Sequence, residues 1–259
     1  MMFDPMYLLF LAPGLALSLW ASFKTKSAFN KYSKVRVATG LTGAQAAQRM
    51  LTAAGISDVK IVPHQGTLSD HYNPVTKTLA LSEPVFGVAS IAAVGVACHE
   101  AGHAIQHARA YKPLWVRSLL VPTANIGSSV GYLVMTFGLM LGSMKFFTVG
   151  VALFSMVILF QLVTLPVEFD ASNRAKRLCV ENGIVMAQER EGIDRVLNAA
   201  ALTYVAAAIS SLLTLLYFLF RREWRPFAIG VGATAAIAAV SFVVSPAAWI
   251  EWIDFTITN

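Results

Sequence analysis

The sequence contains few charged residues and few cysteines. Only 13% of its 259 residues are Asp, Glu, Lys or Arg, about half the share found in an ordinary soluble domain. This shortage excludes a disordered chain, a coiled coil and a soluble protein that binds nucleic acid. The two cysteines, Cys98 and Cys179, are too few for a disulfide framework and form no CxxC metal motif.

Hydrophobic residues take the place of charge. They make up 56% of the chain, and the mean hydropathy is +0.62. A spanning helix needs about 20 mostly apolar residues, so the apolar segments predict an integral membrane protein, mainly α-helical, with four to five transmembrane helices. The predicted spans are 6–23, 119–141, 146–165, 199–220 and 227–244.

The basic residues are distributed unevenly between these spans. Of the 20 Lys and Arg, 16 lie in residues 24–118 and 166–198, and such an excess marks the cytoplasmic side of a membrane. The first span lacks a basic leader, which favours an uncleaved anchor. The predicted order is an anchor at 1–23, a cytoplasmic part at 24–118, a transmembrane hairpin at 119–165, a cytoplasmic segment at 166–198, and C-terminal helices with a tail at 199–259.

The first polar part has the pattern of a small α/β unit. Thr42 can cap a helix over 43–54, and Gly55 stands where a glycine often ends a helix. Residues 58–63 and 76–81 have strand character, with turn residues between them. We therefore expect one helix and a β-hairpin, which must pack on residues 85–110.

Residues 85–110 predict a buried helix that ends in a metal-binding motif. The motif is HExxH, with His99, Glu100 and His103. Residues four apart share a face of a helix, so both imidazoles can bind one zinc ion. Zinc lowers the pKa of a bound water towards 7, and Glu100 is placed to take that proton as a general base.

The third zinc ligand decides the class of such a site. His107 lies eight residues after His99, about 12 Å along a straight helix, so both cannot bind one ion. The metzincin pattern fails because it requires glycine at 106 and histidine at 109. Intramembrane site-2 proteases need an aspartate motif, but no Asp lies between 103 and 170.

Glu168 is the remaining candidate for the third ligand. The two spans between His103 and Glu168 form a hairpin that returns the chain to the same side of the membrane. Pro166 can start a helix there, with Glu168 and Asp170 in its first turn. The alternative is that these two acids only complement the dipole of that helix.

The motifs together resemble a known family. The segments HEAGHAIQHA, LPVEFDASNRA, LNAAALTYVAAA and GTLSDHYNPVTKTLALSE resemble the YugP-type neutral zinc metallopeptidases of bacteria, over roughly residues 5–220. That family in turn resembles membrane gluzincins such as the HtpX proteases. The resemblance implies a small α/β gluzincin-like zinc domain made of a helix, a β-hairpin and the HExxH helix.

The resemblance also implies roles for single residues. His99, His103 and Glu168 match the zinc ligands, and Glu100 matches the general base. Gluzincins carry an Asp four residues after the Glu ligand to orient a histidine, whereas this chain has Ser172. Ser172 or Asp170 would then take that part.

Substrate contacts are implied by the same likeness. Gluzincins pair extended substrate with a strand beside the HExxH helix, and the matching residues are Thr76, Lys77, Thr78, Leu79, Ala80, Leu81 and Ser82. Candidates for stabilising the oxyanion or supporting the ligands are His71, Tyr72, Arg174, Tyr204 and His107.

These observations predict a zinc endopeptidase in a bacterial inner (plasma) membrane, with one Zn²⁺ per chain and an active site facing the cytoplasm. Its partners would be peptide or protein substrates, including segments of membrane proteins, and the lipid bilayer, but not nucleic acid. The alternative is a non-catalytic membrane scaffold with a structural zinc site, which would need a fourth ligand such as His71 or His107. A transporter is disfavoured because the confident spans carry no ionisable residue.

Overall fold

The computed structural model describes residues 5–220 together with positions 236 and 239. The described chain is mostly helical and falls into two compact units. The apolar unit comprises residues 5–20, Lys112–Val167 and 204–220, and the polar unit comprises Ala21–Tyr111 and Glu168–Thr203.

Four helical segments in the described residues are long and apolar enough to cross a membrane. They are Leu8–Tyr32, Lys112–Met135, Met144–Glu181 and Ala187–Thr214. Four of the predicted spans are thereby confirmed as candidate spans, and the fifth, 227–244, lies outside the described residues. The helices that carry them are α1 (Pro5–Tyr32), α5 (Lys112–Ile126), α6 (Tyr132–Met140), α7 (Met144–Glu181) and α8 (Arg190–Phe220), with a π turn at Gly127–Gly131 between α5 and α6.

Small and polar side chains let the helices of the apolar unit approach closely. A Cβ atom built on Gly127 would lie 2.4 Å from the carbonyl oxygen of Leu153 in α7, so only glycine fits there. Ser211 in α8 donates a hydrogen bond of 2.8 Å to the side-chain oxygen of Gln161 in α7. Such contacts are typical of transmembrane helices, because burying apolar side chains between helices gives no net free energy in a lipid environment.

The second helix of the chain, in the polar unit, forms where the sequence predicts it. Helix α2 (Gly43–Ala53) is capped by Thr42, whose hydroxyl accepts from the backbone of Gln45 while the Gln45 side chain accepts from the backbone of Thr42. Gly55 follows the helix with φ of +76°, a conformation that favours glycine. The predicted cap and the predicted helix end are both present.

The sheet has three strands instead of the two that were predicted. They are β1 (Lys60–His64), β2 (His71–Asn73) and β3 (Thr78–Ser82), in the order β1-β3-β2. The hairpin is formed by β2 and β3, whereas β1 runs parallel to β3. The predicted pairing of 58–63 with 76–81 in a hairpin is therefore wrong. The segment between them contains a third strand, so the chain reverses direction twice.

The central position of β3 also corrects the expected substrate strand. β1 pairs with all of Thr78–Ser82 on one side, and β2 pairs with Thr78, Leu79 and Ala80 on the other. At the end of β3, the backbone N–H of Ser82 donates a hydrogen bond of 2.7 Å to the Asp70 carboxylate. Thr76 and Lys77 precede the strand. A strand with neighbours on both sides cannot add an extended peptide, so the expectation that substrate pairs along Thr76–Ser82 is wrong.

The predicted helix over 85–110 is broken into two. A short helix α3 (Glu83–Phe86) ends at Gly87, and α4 (Ile91–Ala108) begins after Ser90, whose hydroxyl accepts from the backbone of Ala93. Of the 18 residues of α4, 14 are buried. It is therefore the central helix of the polar unit, as its small and apolar residues predict.

Helix α7 continues through Pro166 without a break. The prediction that Pro166 starts a new helix is wrong, although proline removes one backbone hydrogen bond there. Glu168 and Asp170 consequently lie inside a helix of 38 residues. The alternative that they complement the positive end of a helix dipole does not apply to this position, because that effect is confined to the first turn.

Helices α4 and α7 approach each other closely at Gly102. A Cβ atom on Gly102 would lie 2.8 Å from the carbonyl oxygen of Ala171, which is backbone and cannot rotate away. Gly95, also on α4, faces the end of the flexible Ile193 side chain at 3.2 Å instead. The chain can therefore adapt to a methyl group at Gly95 but not at Gly102.

We expect Gly102→Ala to lower the free energy of unfolding by about 1–3 kcal/mol, because overpacking forces the two backbones apart. Gly95→Ala is the matched control on the same helix and should be close to neutral, since Ile193 can move and alanine favours the helix. Thermal unfolding of the full chain in detergent measures both. Equal midpoints for the two variants would contradict the proposed close contact.

Candidate metal centre

Three side chains predicted from separate parts of the sequence meet in the polar unit. His99 and His103 lie on α4 one turn apart, and Glu168 lies on α7. The Glu168 carboxylate oxygen Oε2 is 3.2 Å from Nε2 of His99 and 3.5 Å from Nε2 of His103. One donor atom from each residue lies within 4.8 Å of the others, and in the described part of the chain this is the group of His, Cys, Asp and Glu whose geometry suits a metal ion.

The donor set and its spacing fit zinc. Zinc bonds to histidine nitrogen and carboxylate oxygen are both close to 2 Å, so ligand atoms of a tetrahedral site lie about 3.3 Å apart. The two nitrogen-to-oxygen distances in this group are close to that value. Two imidazoles and one carboxylate form the ligand set of catalytic zinc sites that keep a fourth position open.

The other nitrogen of His99 has a partner on α7. Its Nδ1 lies 3.1 Å from the hydroxyl of Ser172, four residues after Glu168 and therefore on the same face of α7. An Nδ1–H that donates to Ser172 leaves Nε2 with its lone pair directed at the metal position. Ser172 is therefore the hydrogen-bond partner of His99 on α7.

The other nitrogen of His103 has a partner that the sequence reasoning missed. Nδ1 lies 2.9 Å from the side-chain oxygen of Gln106, and the amide nitrogen of Gln106 donates to Asp170 at 2.7 Å. Asp170 also accepts from Nε of Arg174 at 2.5 Å. Gln106 stands three residues after His103 on α4, and this i, i+3 spacing was the available signal.

Glu100 follows His99 directly on α4 and is buried, with 9% of its surface exposed. Successive residues of a helix are rotated by about 100°, so Glu100 lies beside the face that carries the two histidines. This is the position that HExxH gives to its glutamate.

His107 and Tyr72 form a separate pair. The Tyr72 hydroxyl lies 2.8 Å from Nδ1 of His107, which places strand β2 against the C-terminal part of α4. Burial, and then the nearby Asp58 charge, raises the pKa of the Tyr72 hydroxyl above its usual value, so Tyr72 keeps its proton at neutral pH. His107 is not a member of the three-residue group.

The remaining candidates lie apart from the three donors. His71 is exposed, contacts the Ser69 carbonyl through Nδ1 at 2.9 Å and packs edge-on against His64. Arg174 is committed to Asp170. Tyr204 belongs to the apolar unit and is 37% exposed.

The two cysteines are both fully buried in the core of the polar unit. A hydrogen bond with Cys179, together with burial, raises the pKa of the Cys98 thiol well above its usual range. A thiol that keeps its proton is a poor metal ligand. The cysteines therefore serve as core residues beside the metal group.

Comparison with known proteins shows the family of the chain. The model of a family described as "Putative neutral zinc metallopeptidase" matches residues 7–223. The chain is 49% identical over 205 residues to a Bacillus subtilis (strain 168) protein described as "Putative membrane protease YugP", covering 79% of this chain and 91% of that protein. No solved structure matches the chain. The family match spans most of the sequence, and the chain therefore belongs to this family of zinc metallopeptidases.

Proposed function

We propose that the chain is a membrane-embedded zinc endopeptidase of the gluzincin type. The observation that carries this proposal is the meeting of His99, His103 and Glu168 with each histidine Nδ1 already engaged. Both Nε2 atoms face the Glu168 carboxylate, and one zinc ion per chain would bind between these three donors. Three protein ligands leave a fourth position for water or substrate, as catalytic sites require.

The residues around the ion would divide the work of peptide hydrolysis. Bound zinc supplies a Lewis acid that polarises the substrate carbonyl and makes a water molecule more acidic. The Glu100 carboxylate takes the proton from the attacking water and then delivers it to the nitrogen of the broken bond. Its burial in α4 keeps the base in place and limits competing water.

We propose a cytoplasmic location for the two segments that carry these residues. Residues 24–118 and 166–198 hold most of the basic residues, and positive charge is retained on the cytoplasmic side of an inner membrane. The four candidate spans supply the anchor in the bilayer. The relative from Bacillus is described as a membrane protease, which supports the same environment.

The substrates that suit this arrangement are extended or misfolded polypeptides, including segments of membrane proteins. A peptide could add to the sheet only at β1 or β2, because β3 is central. β1 contains Pro63, which has no N–H to donate. We therefore assign the substrate edge to β2, whose Tyr72 contacts α4 through His107.

A non-catalytic scaffold is the alternative function, and it would need a closed site with four protein ligands. The two histidines that could supply the fourth ligand have other partners, since His107 contacts Tyr72 and His71 contacts Ser69. The three-donor group favours the enzyme.

Full-length protein purified in detergent should hold about one zinc ion per chain, measured by atomic emission. Glu168→Gln should lose most of that zinc, because a neutral amide oxygen is a poorer ligand than a carboxylate. Glu181→Gln is the matched control on α7, since Glu181 is exposed and pairs with Arg177. Equal zinc content in the two variants would rule out Glu168 as a ligand.

Glu100→Gln should keep its zinc and lose peptide hydrolysis by at least about 100-fold, because the amide cannot accept the proton. Cleavage of an unfolded protein substrate at the zinc concentration that saturates wild type measures the loss. Glu83→Gln, an exposed position at the start of α3, should cleave normally. Wild-type cleavage by Glu100→Gln would refute the assigned base.

Ser172→Ala should weaken zinc binding by about 10-fold, the lower end for loss of a group that orients a metal ligand. Ser155→Ala is the matched control, because Ser155 is also a buried serine of α7 but its hydroxyl donates to the Val151 carbonyl. Competition with a chromophoric chelator gives both affinities. Equal weakening in the two variants would show that Ser172 has no part in orienting His99.

A further inference from the structure

A chain of polar groups leads away from His103, buried at His103 and Gln106 and half-buried at Asp170 and Arg174. We call it the His103 relay and define it as His103, Gln106, Asp170 and Arg174. Its links measure 2.9 Å, 2.7 Å and 2.5 Å in that order. Gln106 is completely buried, where an amide without partners would be costly, and both ends of its side chain are used.

The charge of Asp170 gives the relay a direction. A carboxylate only accepts hydrogen bonds, so Gln106 must turn its NH₂ group towards Asp170. Its oxygen then faces His103 and accepts from Nδ1–H. The reversed amide would set two acceptors against each other at Asp170 and two donors at His103. The proton of His103 is therefore held on Nδ1, which leaves the Nε2 lone pair for a metal ion bound between His103 and Glu168.

The far end of the relay contacts Tyr111, which follows the end of α4. Arg174 follows Asp170 by one turn of α7, and its guanidinium lies over the Tyr111 ring at 5.6 Å. The Tyr111 backbone N–H donates to the carbonyl of Gln106 at 2.8 Å. The carboxylate is thus paired and the glutamine is tied at both its backbone and its side chain.

The hydrogen-bond partner of His99 constrains its tautomer less than Gln106 constrains that of His103. That partner is the Ser172 hydroxyl, which can rotate and can donate as well as accept. A hydroxyl therefore does not select one tautomer, whereas an amide oriented by a carboxylate does. The two histidines of the site differ in how firmly their proton is placed.

We propose that Gln106 and Asp170 are positioning residues for the metal site, acting through His103 and fixing its tautomer. The proposal rests on the zinc site of the proposed function and adds the residues that set its metal affinity. Neither residue is expected to touch substrate. Because the relay places the proton and the Ser172 hydroxyl does not, loss of Gln106 should weaken zinc more than loss of Ser172.

The first test is the zinc affinity of the full chain in detergent, measured by chelator competition. Gln106→Met keeps the length of the side chain without its hydrogen bonds and should weaken zinc by about 10- to 100-fold. Gln161→Met is the matched control, because it removes an amide paired with Ser211 in the apolar unit, and it should bind zinc like wild type. Wild-type affinity in Gln106→Met would overturn the proposal.

A second test exchanges the two groups and remains decisive if Gln106→Met fails to fold. Gln106→Glu alone sets two carboxylates side by side and should weaken zinc. Gln106→Glu combined with Asp170→Asn should recover the affinity, because a carboxylate then accepts from His103 and an amide donates to it. A double variant that binds zinc no better than Gln106→Glu alone would overturn the proposal.

The visible spectrum of the Co²⁺-loaded protein separates positioning from general stability. A displaced His103 changes the absorption of bound Co²⁺, so a changed spectrum in Asp170→Asn supports the relay, and an unchanged one in both Asp170→Asn and Gln106→Met overturns it. These readouts use no peptide hydrolysis. Failure of the relay with a zinc-loaded wild type leaves the proposed function standing, whereas a wild type that binds no zinc overturns both.

Discussion

The absence of a side chain at Gly102 allows two helices to build one site. Two histidines of α4 and one glutamate of α7 can share an ion only if the helix backbones come close, and the Gly102 Cα faces the Ala171 carbonyl. Ala171 lies between Glu168 and Ser172 on α7. The contact at Ala171 therefore fixes how close both Glu168 and the Ser172 hydroxyl lie to the histidines of α4. HExxH leaves this position free of any chemical role, so the chain can use it for packing.

The second constraint is the cost of polar groups in an apolar core. Glu168, His103, Gln106 and Ser172 are all buried, and the surrounding residues of α4 are small and apolar. Each buried polar group must find a partner there. In each imidazole, Nδ1 contacts its polar partner and Nε2 faces the Glu168 carboxylate. The same hydrogen bonds therefore give the buried polar groups their partners and orient the two histidines.

Features that depend on residues close in sequence could be predicted, whereas contacts between side chains of different helices could not. HExxH, the Thr42 cap, Gly55 and the four apolar spans depend on residues close in sequence, and the structure places them as expected. The order of the spans predicts that Glu168 lies on the same side of the membrane as HExxH. The strand order could not be predicted, because His71–Asn73 is a strand of only three residues within a turn-rich segment. Pro166 predicts a helix start because proline favours the first turn of a helix. In the structure the helical residues before and after it form one continuous helix. Gln106 was missed because the partner of a glutamine depends on which side chain faces it from another helix.

The unbroken course of α7 has a consequence for the time at which the site becomes complete. Glu168 follows His99 by 69 residues, and most of the intervening chain is the apolar segment Lys112–Val167. A ribosome therefore makes both histidines first and Glu168 only after that segment has emerged. Since α7 runs without a break from Met144 to Glu181, Glu168 belongs to the same helix as the end of that apolar segment. A nascent chain that stalls before this step carries both histidines but lacks Glu168, so the three-residue group cannot form. Synthesis order thus delays the site until the helix that supplies Glu168 has formed.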